Sequence, residues 1–175
     1  MNALQQLKTN GWCVLKNIIP EPEVHTVRDS VLQTVAQHRR DSAADSIGFV
    51  PGLIAHNQSF APYLADARLM SICETLLGHD IRISFTSAIV NEPGNARGKW
   101  HADWPFNQNN AGHIPTPYPD AVFHLTTLWM LSPFTEQNGG TLIMPGSHRA
   151  NYTPTADCDI DPLSKLPGEM QTTGP

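Results

Sequence analysis

Basic runs are missing from this sequence. The longest stretch of Lys or Arg is the Arg39–Arg40 pair, and the formal net charge is -5. A nucleic-acid-binding face needs a clustered basic patch, so no nucleic-acid partner is expected. Long apolar runs are missing too. Nothing approaches the roughly 18 apolar residues of a membrane span, so no membrane partner is expected. The opening M-N-A-L-Q-Q-L-K-T-N has no apolar h-region of a secretory signal. Cysteine is scarce: Cys13, Cys73 and Cys158 are odd in number and form no C-x-x-C pair. That excludes a disulfide framework and suits a reducing compartment, so a cytoplasmic location is expected. Internal repeats and low-complexity tracts are absent.

Proline and glycine are plentiful. Of the 15 prolines most follow residue 92, which makes the second half turn-rich and excludes a helix bundle. The first half mixes elements. Residues 11–19, G-W-C-V-L-K-N-I-I, form a β-rich run ending at Pro20. Val24, Val27, Val31 and Val35 recur at helical spacing and predict a helix over 21–40, with Glu21 and Glu23 at its start and Arg39 and Arg40 at its end. A second helix is predicted over 66–78, with Asp66 as N-cap, Gly78 as stop and Leu69, Ile72, Cys73 and Leu76 as its buried stripe.

The period then changes. Ile81, Ile83 and Phe85 alternate with Arg82 and Ser84, predicting a strand that runs on to Asn91. Residues 122–131 and 141–145 predict two more strands, the last reached through the turn Asn138-Gly139-Gly140. The expected class is mainly β with flanking helices, a sandwich or barrel with helices packed outside.

The chemistry gathers at K-W-H-A-D-W-P-F, residues 99–106. On a strand, residues two apart share a face, so His101 and Asp103 can offer an imidazole nitrogen and a carboxylate oxygen to one ion. With a third ligand from a distant strand they would make the 2-His-1-carboxylate facial set of non-haem Fe(II) oxygenases. The triplet alone is weak, since eight His and ten Asp give roughly half of one H-x-D by chance. Taken alone, such a triplet is more often a surface hydrogen-bonded pair than a metal site. Trp100, Trp104, Pro105 and Phe106 favour a dry pocket around a metal, though core packing also accounts for clustered rings.

The order of motifs adds to this. L-K-T-N-G-W-C-V-L-K-N-I-I-P-E-P-E-V, G-H-D-I-R-I, N-E-P-G followed by W-H-A-D-W-P-F, and L-W-M-L-S-P-F-T-E-Q-N-G-G-T-L-I-M-P-G-S-H-R resemble the phytanoyl-CoA dioxygenase family over most of residues 4–150. The resemblance implies a double-stranded β-helix (a jelly roll, cupin-like) and an Fe(II)- and 2-oxoglutarate-dependent dioxygenase that hydroxylates a small-molecule substrate. It implies that His101 and Asp103 are the first two iron ligands and catalytic. An Asp at that position favours hydroxylation over halogenation. Trp129 falls where the family places a residue beside 2-oxoglutarate, a core ring accounting for it equally on pattern alone, and Thr127 shares its face. Ser87, Ile89 and Asn91 share the next inward face, and Asn91 is the expected cosubstrate contact. Asn138-Gly139 and P-G-S-H are expected to be structural corners, with His148 no ligand.

The family's last iron ligand is a histidine downstream of P-G-S-H, followed by an arginine that grips 2-oxoglutarate. Here no His follows His148 and no Arg follows Arg149. A jelly roll takes about eight strands, and about half are visible. One domain is expected over 1–175, with helix and strand in 1–80, jelly-roll strands in 81–150 and a loop-rich tail in 151–175. It is expected to be the N-terminal portion of a longer protein, inactive alone and self-associating through exposed sheet edges. A non-catalytic jelly-roll binding module is the alternative. A cupin-like metal isomerase would favour an H-x-H pair, which is not seen.

Overall fold

The computed structural model describes residues 1–40, 46–105, 113–152, 154 and 168–172. Phe106 and Cys158 lie outside the described residues. The chain divides into two compact units.

One unit takes the described residues of 15–96 and 129–140. Its spine is a helix, Glu21–His38, labelled α2 after the short α1, Ala3–Asn10, of the other unit. Pro22 lies in the first turn of α2, where its missing N–H costs nothing, and Glu21 and Glu23 answer the helix dipole. The predicted stripe is the buried one: Val27, Val31 and Val35 face inward, joined by Thr34. They pack on Val50, Leu53, Phe60 and Ala88, with Val50 only 1% exposed.

Thr34 is accommodated because every polar group around it is satisfied. Its hydroxyl donates to the Ser30 carbonyl at 2.9 Å and accepts from Asn57 Nδ2 at 2.8 Å. Strands β1, Ile47–Pro51, and β2, Ser87–Asn91, pair antiparallel with Phe49 opposite Ile89. Gly48 lets the sheet approach the helix: a Cβ there would lie 2.8 Å from Val35 Cγ1. After a short α3, Ala61–Leu64, comes α4, Ala67–Leu77, capped by Asp66, which accepts from the Arg68 and Leu69 amides at 2.9 and 3.3 Å.

Several expectations are corrected. Residues 11–19 form no strand. Arg68 instead donates to the carbonyls of Lys16 and Asn17, both at 3.0 Å, so this segment is held by a side chain and not by a ladder. The strand expected over 81–91 is only Ser87–Asn91, and Ile83 and Phe85 are 57% and 50% exposed. Its face toward the core carries Ala88 and half-buried Val90, not Ser87, Ile89 and Asn91, because α2 covers that side. Residues 122–131 are not a strand. The physical reason is shared: a strand forms where a neighbour supplies ladder bonds, and no described strand pairs with 81–86 or 122–131. The cupin-like jelly roll is therefore not what the described residues display.

The other unit takes the described residues of 1–14, 97–128 and 141–172. Helix α1 starts with a reciprocal capping box between Asn2 and Gln5 and ends at Gly11 in the left-handed region. The P-G-S-H-R corner closes that end. Gly146 N donates to Asn10 O at 2.8 Å, His148 Nε2 lies 3.2 Å from Lys8 O, and Arg149 donates to the same oxygen at 2.7 Å. His148 is structural here, as expected. The strand expected over 141–145 is β3, Leu142–Ile143, paired antiparallel with β4, Met170–Gln171. Among the described residues no helix is long and apolar enough to cross a membrane.

Candidate metal centre

His101 and Asp103 lie in an irregular segment, not on a strand, so period-two alternation does not bring them together. Side-chain contacts do. His101 Nδ1 lies 2.9 Å from the Lys99 carbonyl. A carbonyl only accepts, so Nδ1 carries the proton and donates. In the neutral ring the lone pair is then on Nε2, which lies 3.5 Å from Asp103 Oδ1. This is the arrangement in which a histidine ligates through Nε2 with its other nitrogen anchored.

Asp103 is held from its other side. Thr126 donates its hydroxyl proton to Asp103 Oδ2 at 2.6 Å, and His124 Nε2 lies 3.0 Å from the same hydroxyl. The electrostatics follow. The carboxylate raises the His101 imidazole to about 9, against the desolvation that opposes its charge. His101 in turn holds the Asp103 carboxyl down to about 2, with the Thr126 hydroxyl helping. At neutral pH the pair is an imidazolium beside a carboxylate.

The rings near the triplet associate with each other. Trp104 stacks on Phe123 at 5.3 Å between centroids and meets Tyr118 edge-on at 6.1 Å. Arg97 lies over Trp100 at 5.3 Å and pairs with Glu169 at 2.8 Å. Glu169 is only 8% exposed, so Arg97 serves as the ion-pair partner of a buried carboxylate. The His101 and Asp103 side chains stay 63% and 46% exposed. Among the described residues, then, no dry hollow encloses the pair. Nor does any group of three His, Cys, Asp or Glu there fit a metal ion. An imidazole nitrogen and a carboxylate oxygen are donor types that suit a divalent transition metal.

Of the expected cosubstrate residues, exposed Thr127 belongs to the same unit as the pair. Half-buried Trp129 and exposed Asn91 belong to the other. The Asn91 amide donates to Gly139 O at 3.3 Å and accepts from Asn95 at 2.8 Å, which ties it to the Asn138-Gly139 turn. Sequence reasoning missed Thr126, because a strand register points it away from Trp129 and Thr127. The one signal available was the doubled Thr126-Thr127, which offers a hydroxyl to either face.

The phytanoyl-CoA dioxygenase family model matches residues 7–165. The chain belongs to the phytanoyl-CoA dioxygenase family. Members of this family have a cupin-like fold. Dioxygenase af480 of Aspergillus fumigatus is 22% identical over 160 residues, covering 85% of this chain and 48% of its own length. Dioxygenase andF of Emericella variicolor is 32% identical over 104 residues, covering 57% of this chain and 35% of its own length. The chain thus spans about half the length or less of these two dioxygenases. No solved structure gives a significant match.

Proposed function

We propose that this chain carries the first two iron ligands, His101 and Asp103, of an Fe(II)- and 2-oxoglutarate-dependent dioxygenase that hydroxylates a small organic substrate. The carrying observation is the convergence of His101 Nε2 and Asp103 Oδ1 at 3.5 Å, with His101 Nδ1 anchored on the Lys99 carbonyl. The family and the two dioxygenase-named relatives support an oxygenase. Fe(II) with 2-oxoglutarate, when bound, supplies the oxidising chemistry. The chain's own part is to present one imidazole and one carboxylate to a single side and to release the Nε2 proton on binding. Trp129, Thr127 and Asn91 are the proposed 2-oxoglutarate contacts. The completed jelly roll, a third histidine ligand and an arginine clamp belong to the same proposal and come from outside residues 1–175.

Mn(II) serves as a redox-stable probe. Titration of the 175-residue chain, followed by loss of the free-ion EPR signal, is expected to show one site that His101→Ala and Asp103→Ala each abolish. Unchanged binding in both variants overturns the proposal. Succinate formation from 2-oxoglutarate is expected to be absent for the 175-residue chain, and robust turnover by it overturns the claim that further residues are needed. A non-catalytic binding module is the second reading, favoured by the openness of the pair to solvent. It predicts no succinate from a longer chain that contains a downstream His and Arg.

A further inference from the structure

Asp103 has two carboxylate oxygens, and they are not equivalent. Oδ1 faces His101, while Oδ2 receives a short hydrogen bond, 2.6 Å, from Thr126. A threonine hydroxyl has a single proton. Given to Asp103, it is no longer available to His124, so the 3.0 Å contact between His124 Nε2 and Thr126 Oγ1 must be an N–H donated by the imidazole. The proton directions are therefore fixed along the whole chain, from His124 to Thr126 to Asp103. Accepting from His124 also polarises the hydroxyl and makes it a stronger donor to the carboxylate.

Building on the reading of His101 and Asp103 as metal ligands, we infer that Thr126, aligned by His124, is the positioning residue that reserves Asp103 Oδ1 for the metal. With Oδ2 engaged by the Thr126 hydroxyl, Asp103 would offer Oδ1 to a metal held at this site, and use of both oxygens would be disfavoured. The hydrogen bond also fixes the carboxylate plane toward His101 Nε2, although the backbone there is irregular and gives no register to do so. Outer partners of this kind change metal affinity about 10- to 100-fold when removed.

The test uses the 175-residue chain with Mn(II) alone as probe. Thr126→Val keeps the shape and removes the hydroxyl, and Thr126→Ser restores it. Thr126→Val is expected to weaken Mn(II) binding about 10- to 100-fold, with Thr126→Ser within about threefold of the native chain. A second readout needs no metal. Long-range proton–nitrogen NMR correlations of His124, recorded at mildly alkaline pH, are expected to show the Nε2–H tautomer in the native chain and in Thr126→Ser. In Thr126→Val the share of that tautomer is expected to fall. Equal Mn(II) affinity in native and Thr126→Val chains overturns the inference, as does an Nδ1–H tautomer of His124 in the native chain. If His101→Ala and Asp103→Ala abolish binding while Thr126→Val does not, the positioning role fails and the ligand assignment stands. If neither ligand variant changes binding, the ligand assignment itself fails.

Discussion

A single carbonyl, that of Lys99, holds Nδ1 of His101 and so decides which nitrogen is left for an ion under the proposed function. The same residue carries the pH behaviour of the site. Without metal, Nε2 holds a proton up to about 9, because the Asp103 carboxylate stabilises the imidazolium. A metal must displace that proton, so below about 9 proton and metal compete for one lone pair. Asp103, held down to about 2, stays ionised through the whole neutral range and adds no slope there. Apparent Mn(II) affinity is therefore expected to rise about tenfold per pH unit from mildly acidic pH upward and to level off near 9, with one proton released per ion bound. Calorimetry in buffers of different ionisation enthalpy counts that proton. A flat affinity across this range would mean that Nε2 is not the ligand atom. In metal-free chain, Asp103→Asn is expected to lower the pH at which His101 loses its proton, read by NMR, since a neutral amide no longer supports the imidazolium.

The secondary elements differ in how much of their specification is local. The periodic valines of α2 and the Asp66 cap of α4 act within a few residues, and both helices lie close to where spacing and caps put them. Strand β2 depends on β1, some forty residues away, and its usable face depends on what α2 covers. Alternation in 81–91 therefore misassigned the inward residues. The glycine that makes the helix–sheet contact possible gave no sequence signal, since Gly48 follows a polar connector and looks like part of a loop. Its importance is testable. An alanine Cβ at 48 would sit 2.8 Å from Val35 Cγ1 and 3.3 Å from Val90 Cβ. Val35 is buried among its neighbours and has nowhere to yield. Gly48→Ala is expected to destabilise by about 1–3 kcal/mol in urea denaturation, the usual cost of overpacking. Gly98→Ala, where the added methyl meets nothing within 4 Å, is the control and is expected to stay within about 0.5 kcal/mol. Equal midpoints for the two variants would show that the helix–sheet contact is loose. The closeness of His101 and Asp103 follows from their spacing of two, although side-chain contacts and not strand alternation bring them together. The Thr126 contact with Asp103 was not legible, because it spans 23 residues across irregular backbone.

At the scale of the whole chain, large apolar side chains stand exposed in both units. In one unit Ile83, Phe85 and Ile89 are 57%, 50% and 62% exposed. In the other, Val122, Phe123 and Leu128 are 45–54% exposed. Both described sheets are two-stranded, so each strand has one edge with no ladder partner among the described residues. Exposed rows of backbone donors and acceptors beside apolar side chains are a template for pairing with another chain. Self-association is the expected outcome, seen as a rise in weight-average mass with concentration in light scattering. The surface argument also says how to suppress it. Ile89 points away from the α2 core and is already mostly in water, so Ile89→Lys costs no packing there and places a charge on the open face. The variant is expected to lower the association constant while leaving the urea midpoint of the chain nearly unchanged. Native chain that stays monomeric across a wide concentration range would remove the case for an uncovered sheet face.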